Sequence, residues 1–184
     1  MRADELLERY RRGDRDFRGV NLRGIYLRDV RMRDVDLNCA DLRGASLMSV
    51  DFSGANLHRA DLSGAFLIRS NLSSVNFTQA NLTKAFLILA NLHQSCLTEA
   101  NLSHTNLTKA DLSEVTGFAE AILEKTILTG ALLPSQKVGH EPSRYLQIWK
   151  DWQLKFPTFQ LRPGSDLLDL LPFSTVVVHR QKVR

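Results

Sequence analysis

The sequence is poor in the residues around which most enzymes and secreted scaffolds are built. It has two cysteines, Cys39 and Cys96, in 184 residues, too few for a disulfide framework. The expectation is a cytoplasmic setting with two free thiols. No stretch approaches the roughly eighteen apolar residues of a membrane span. The opening MRADELLERYRRGDRD lacks the apolar segment that a secretory leader needs. No membrane partner is therefore expected. A glycine-rich phosphate loop and a G-x-S-x-G nucleophile elbow are both missing. No cofactor is implied.

The chain also lacks a large excess of either charge. Lys and Arg number 24 against 20 Asp and Glu, and the excess is local. Residues 1–12 hold 4 basic and 3 acidic groups, residues 13–133 hold 12 and 13, and residues 134–184 hold 8 and 4. The basic balance thus belongs to the C-terminal segment. In the body, Arg15, Arg18, Arg23, Arg28, Arg31, Arg33 and Arg43 interleave with Asp14, Asp16, Asp29, Asp34, Asp36 and Asp41. That is a mixed-charge surface, whereas nucleic-acid recognition clusters its cations on one face. No nucleic-acid partner is expected.

What the sequence has in abundance is repetition. From Phe17 through Leu22, Leu27 and Met32 to Leu112, every fifth residue is large and apolar, twenty in succession. From Leu22 on, two places before each stands a small or β-branched residue, from Val20 and Ile25 to Ala110, and Val115 continues that row. The other positions are mostly Asp, Asn, Ser, Thr, Arg, Gly or Lys. A helix would rotate each large residue by about 140° from the last, so this is no helix face. A short extended piece and a bend in every unit puts both apolar rows inside. After Leu112 the phase slips by one residue near Ser113–Gly117. Phe118, Leu123, Leu128 and Leu133 then carry the large row, and Thr116, Ala121, Thr126 and Ala131 the small one.

The stretches ANLHRADLSGA, ANLTKA and ANLSHTNLTKADLS resemble the pentapeptide repeats of the A(D/N)LXX family. The resemblance covers about residues 15–133 and is of the plain type abundant in cyanobacteria. It implies an all-β solenoid, a right-handed quadrilateral β-helix with four pentapeptides per square coil. Twenty-four units make about six coils, a rod roughly 29 Å long at ~4.8 Å per coil. Residues twenty apart then lie on one face of adjacent coils. An open β-helix needs its ends covered, and three regions follow. Residues 1–14 form an N-terminal helical cap, with Leu6, Leu7 and Tyr10 on one side and Gly13 as the stop. Residues 15–133 form the β-helix, and residues 134–184 a C-terminal helical and irregular segment that includes a helical cap. In that segment PSRYLQIWKDWQLKF (142–156) reads as an amphipathic helix with Tyr145, Trp149, Trp152 and Phe156 as one aromatic stripe. SDLLDLL (165–171) reads as a second short helix and STVVVH as a short strand.

Mapped onto coils, groups capable of chemistry do not converge. His58, His93, His104, His140 and His179 share no column, and Cys39 and Cys96 lie about three coils apart, roughly 14 Å. Asp41 and Asp61 stack on adjacent coils but occupy an outward position on a flat face, where such residues serve turns and hydration. The reading is a protein that is not an enzyme, a scaffold or regulatory module that binds protein. Quinolone-resistance members of the family are DNA-mimicking regulators of a type II topoisomerase. That alternative is disfavoured here because the solenoid carries almost no net charge. The candidate packing or partner face is the one bearing Tyr26, Met48, Phe66, Ile68, Phe86, Ile88 and Leu89, with Ile127 in the same column. Its expected occupant is the chain's own C-terminal stripe, a second copy in a homodimer, or an unidentified protein partner.

Overall fold

The unit Asn21-Leu22-Arg23-Gly24-Ile25 shows why a period of five is stable. Leu22 and Ile25 are buried, while Asn21, Arg23 and Gly24 face solvent. The Ile25 N–H donates to the Leu22 carbonyl at 3.0 Å and closes a turn. The fourth residue alone takes a positive φ, 64° at Gly24, which is the pattern of a type II turn. Sixteen non-glycine residues from Asp29 to Lys125 also adopt positive φ. All sixteen hold the fourth position of a unit. All but Leu89 and Cys39 are polar or charged.

A computed structural model of the chain describes residues 1–134. Within them, single-residue parallel bridges join first-position residues twenty apart, as in Tyr26–Ser46, Ser46–Phe66 and Phe66–Phe86. Five residues per unit and twenty per step make a quadrilateral β-helix. Each bridge is two-sided: in Phe66–Phe86 the Phe86 N–H donates to the Ala65 carbonyl at 2.9 Å and the Leu67 N–H to the Phe86 carbonyl at 2.8 Å. The second-position residues stack into ladders. Leu22, Leu42, Leu62, Leu82 and Leu102 are all at most 2% exposed. The small row beside them is mainly Ala and Val. Where it is polar, the hydroxyls turn back to the main chain. Ser70 Oγ donates to the Leu47 carbonyl at 2.7 Å and Thr105 Oγ1 to the Leu82 carbonyl at 2.6 Å. Ser95 Oγ is buried with no partner.

The slip falls within the expected Ser113–Gly117 stretch, at its end, and the place of Thr116 in the small row is corrected. Thr116 is exposed and still bridges Cys96 twenty residues back, whereas Ile122 bridges Asn101 at twenty-one. The extra residue therefore enters after Thr116, and Val115, not Thr116, is the buried small residue there. Gly117 occupies the insertion with φ at 70°. A Cβ there would lie 2.3 Å from the Thr98 backbone nitrogen, so only glycine fits without a shift.

Before the first coil runs α1, Ala3–Arg11. Asp4 and Glu5 in its first turn and Arg9 and Arg11 in its last suit the helix dipole. It ends in a Schellman motif: the Asp14 N–H reaches the Arg9 carbonyl at 3.1 Å and the Gly13 N–H the Tyr10 carbonyl at 3.0 Å. Leu6 is fully buried against the core that begins at Phe17 and Leu22, and Leu7 and Tyr10 are half-buried on it. First-coil carbonyls, with no preceding coil to donate to them, receive other donors. The Met1 amine donates to the Asn21 carbonyl at 3.0 Å and the Tyr10 hydroxyl to the Arg33 carbonyl at 3.2 Å. The helices and stripe read over 142–156 and 165–171, with Tyr145, Trp149, Trp152 and Phe156, lie outside the described residues.

Candidate functional site

The first position of a unit has a structural task. When it is Asn or Asp, its Oδ1 accepts the N–H of the third residue, as Asn81 does from Thr83 at 3.1 Å and Asp61 from Ser63 at 2.9 Å. Asn side chains also donate down the column, Asn81 to Asp61 at 3.1 Å and Asn91 to Asn71 at 3.2 Å. On the face whose first positions are Tyr26, Ser46, Phe66, Phe86, Asn106 and Ile127, this bonding is made only by Asn106, from the Thr108 N–H at 3.0 Å, and lapses at the others, Phe66 and Phe86 among them. Neither ring can accept the N–H of Ile68 or Ile88. Each such bond contributes about 0.5–1.5 kcal/mol, so both substitutions sacrifice local stability.

The rings do not recover it by burial. Phe66 is 40% exposed and Phe86 38%, stacked on each other with centroids 5.0 Å apart and planes within 3°. Leu89, at the corner beside them, is 44% exposed with φ at 59°. Ile68, Ile88 and Met48 are half-buried on the same face. Of the residues expected together, these form the centre. Tyr26, 62% exposed, is set apart from Phe66 by Ser46, and Asn106 separates Phe86 from half-buried Ile127. The sequence reading passed over two exposed apolar residues beyond the slip, Ile122 and Leu132, which take first positions on other faces. It also passed over four exposed cations at the edges of the phenylalanine face, Arg69 and Lys109 on one side, Lys84 and Lys125 on the other. The signal for them was the same twenty-residue step.

Chemistry elsewhere is set by local pairing. Asp41 and Asp61 do bridge, but Arg43 lies between them, 2.5 Å from Asp41 and 3.9 Å from Asp61. The hydrogen bond from its guanidinium, helped by the Arg43 N–H, holds the Asp41 carboxyl down to about 2 against the opposing effect of burial. A general acid needs the opposite shift. Cys96 is half-buried. Burial pushes its thiol up, but the hydroxyls of Thr78 and Thr98, at 3.3 and 3.4 Å, together with the Thr98 N–H and the Thr116 hydroxyl, outweigh it and hold it at about 7. Both Cys96 and the exposed Cys39 are free. His93 Nδ1 lies 2.9 Å from Ser113 Oγ, and His58 Nδ1 lies 3.0 Å from Asn38 Nδ2, as members of surface ladders. Among the described residues no group of His, Cys, Asp and Glu could hold a metal ion, and no helix is long and apolar enough to cross a membrane. A surface hollow of about 780 Å³ is lined by Arg2, Asp4, Glu5, Leu7, Glu8 and Arg11, all on or next to one helix, which cannot enclose a substrate.

The geometry of one inward Leu and one left-handed corner per five residues is matched by a family model described as "Pentapeptide repeats (8 copies)", over residues 16–54, 51–87, 87–116 and 95–133. The chain belongs to the pentapeptide repeat family. Solved structures of other pentapeptide repeat proteins resemble it. HetL, involved in heterocyst differentiation regulation in the cyanobacterium Nostoc sp. strain PCC 7120, is 31% identical over 71% of this chain and 70% of its own, with a TM-score of 0.45. Rfr23 from the cyanobacterium Cyanothece 51142 is 26% identical over 72% and 95%, with a TM-score of 0.36. QnrB1, a plasmid-mediated fluoroquinolone resistance protein, is 19% identical over 72% of each chain, with a TM-score of 0.39. No curated protein matches the chain.

Proposed function

We propose that this pentapeptide repeat protein is a non-enzymatic, cytoplasmic module that binds protein through the face bearing Tyr26, Met48, Phe66, Ile68, Phe86, Ile88 and Leu89. The observation that carries the reading is the pair Phe66 and Phe86. Both stand exposed where the fold's own chemistry favours Asn or Asp. A large side chain left wet forgoes roughly 1.5–3 kcal/mol of burial. A contiguous exposed apolar group on a rigid support is a docking surface. The rod is then the support that holds the face flat, with residues 1–14 closing its first end. The two free thiols, Cys39 and Cys96, agree with a cytoplasmic setting.

The DNA-mimic reading needs a strongly negative rod. Residues 1–134 hold 16 Lys and Arg against 16 Asp and Glu, which gives a basic DNA-binding groove nothing to attract. Capture of partners from the native cell tests the proposal, comparing wild type with a Phe66→Ser, Phe86→Ser double variant of equal melting temperature. The double variant should lose partners that wild type retains. Identical captured sets would end this reading.

A further inference from the structure

We propose that the occupant of the phenylalanine face is an acidic segment of another protein. In it, aromatic or aliphatic side chains seat on Phe66, Phe86 and Leu89, and carboxylates reach the cations along both edges. The inference rests on the reading of this face as a docking surface and adds the chemistry of what docks.

The edges of the face decide it. Corner residues one coil apart lie in one column, as shown by the Arg69 N–H donating to the Ile88 carbonyl and the Leu89 N–H to the Thr108 carbonyl, both at 3.0 Å. Arg69, Leu89 and Lys109 thus run up one edge, and Lys84, His104 and Lys125 up the other. The four cations are exposed, and none makes a side-chain hydrogen bond or salt bridge among the described residues. Asp29, farther down the first edge, is engaged by Arg28 at 3.3 Å. Glu124, beside Lys125, is half-buried.

Corners on the other faces behave differently. Arg59 donates to Gln79 at 2.7 Å and Gln79 to Glu99 at 2.8 Å, while Gln94 donates to Glu114 at 2.8 Å. Those columns satisfy themselves. In a body with balanced charge, four of the six described cations without side-chain partners, all but Arg23 and Arg31, flank the one face with exposed phenylalanines.

The three other occupants fit this chemistry less well. The chain's own 142–156 segment carries Arg144, Lys150 and Lys155 against Asp151 alone, so it brings like charge to the edges. A second copy joined through the same face brings the same four cations. A nucleic acid would pair the cations but leave Ile68, Ile88 and Leu89 uncovered. The two rings, stacked at 3°, already occupy one face each that a base would need. An acidic amphipathic segment satisfies both the apolar centre and the charged edges. Complementary charge then speeds encounter and excludes basic competitors.

The test uses the full chain as bait for a random peptide library, with counter-selection on the Phe66→Ser, Phe86→Ser variant. The enriched peptides should combine Asp or Glu with Phe, Trp, Tyr or Leu. The tightest of them, followed by fluorescence anisotropy, should bind about tenfold or more weakly to a Lys84→Glu, Lys109→Glu variant of unchanged melting temperature. It should also weaken as salt rises from about 0.05 to about 0.5 M. Phe-dependent peptides without acidic enrichment would overturn the acidic partner while leaving the docking face intact. No Phe-dependent peptide at all would remove both.

Three further outcomes would each overturn the proposal in favour of another occupant. Trp149 and Trp152 are the chain's two tryptophans. If the double serine substitution shifts their emission, the chain's own tail sits on the face. A dimer in light scattering that the same substitution dissolves would show a second copy there. Phe-dependent binding of a single-stranded oligonucleotide tighter than that of any peptide would show a nucleic acid.

Discussion

Leu62 lies mid-rod, 0% exposed, between Leu42 and Leu82 in its ladder, both also 0% exposed. Replacing it with Asp tests the register of the whole solenoid. Truncation alone, as in Leu62→Ala, costs about 2–5 kcal/mol, depending on how far the surroundings collapse. Here they cannot collapse freely. The Leu62 N–H is bonded to the Asn81 carbonyl at 2.8 Å and the Asp61 N–H to the Ala40 carbonyl at 2.9 Å, so coil spacing is held on both sides. We therefore expect about 3–4 kcal/mol for Leu62→Ala. Asp adds a polar group with no donor to meet it, because the main chain around it is already paired. That brings the loss to about 5 kcal/mol or more, comparable with the whole stability of many domains. Urea unfolding followed by circular dichroism measures it, with Ser74→Asp at an exposed corner as a control expected within about 0.5 kcal/mol of wild type. A buried Asp has a raised pKa in the folded state. Its penalty therefore grows as pH rises through that value, and the deficit of Leu62→Asp should be smallest in acid. If Leu62→Asp unfolds within about 0.5 kcal/mol of wild type, Leu62 is not inside and the assigned faces are wrong.

Four other perturbations probe separate parts of the structure. Gly117→Ala should lower the melting temperature more than Gly64→Ala: both glycines have positive φ, but only Gly117 would place a Cβ against backbone, at Thr98. Equal effects would mean the insertion is not held by that contact. Ser95→Ala removes a buried hydroxyl without a partner and should stabilise by about 1 kcal/mol, whereas Ser70→Ala loses a bond to the Leu47 carbonyl and should destabilise by a similar amount. Thermal melts that reverse this order would refute the pairing. Deleting residues 1–12 uncovers Phe17, Leu22 and the carbonyls of Asn21 and Arg33, so light scattering should show association. A deletion variant of unchanged size in solution would count against α1 as a cap. The Asp41 carboxyl is depressed in the folded state, so its contribution is present above the ordinary Asp range near ~3.9 and is lost as pH falls toward about 2. Unfolding midpoints between those values should fall less in Arg43→Ala than in wild type, and equal slopes would discount the pair.

The sequence by itself determined the cross-section of this protein. A large residue every fifth place and a small one two before it can both be buried only if the chain bends once per unit. That requirement needs no knowledge of which coil lies next. It also determined which residues share the phenylalanine face, because a twenty-residue step is arithmetic once four units close a coil. The tertiary structure decided what depends on contacts between coils. The insertion could be narrowed to a few residues from the pattern. Only the Thr116–Cys96 bridge and the approach of Thr98 to Gly117 placed it at that glycine. Asp41 and Asp61 read as two stacked carboxylates along the sequence; Arg43 comes between them only when neighbouring coils are in place. Likewise, Gln79 and Gln94 satisfy the acids above them across coils, while Arg69, Lys84, Lys109 and Lys125 find no such partner. A side chain's partner lies one coil away, and composition along the chain does not say whether that neighbour's atoms arrive within hydrogen-bond distance.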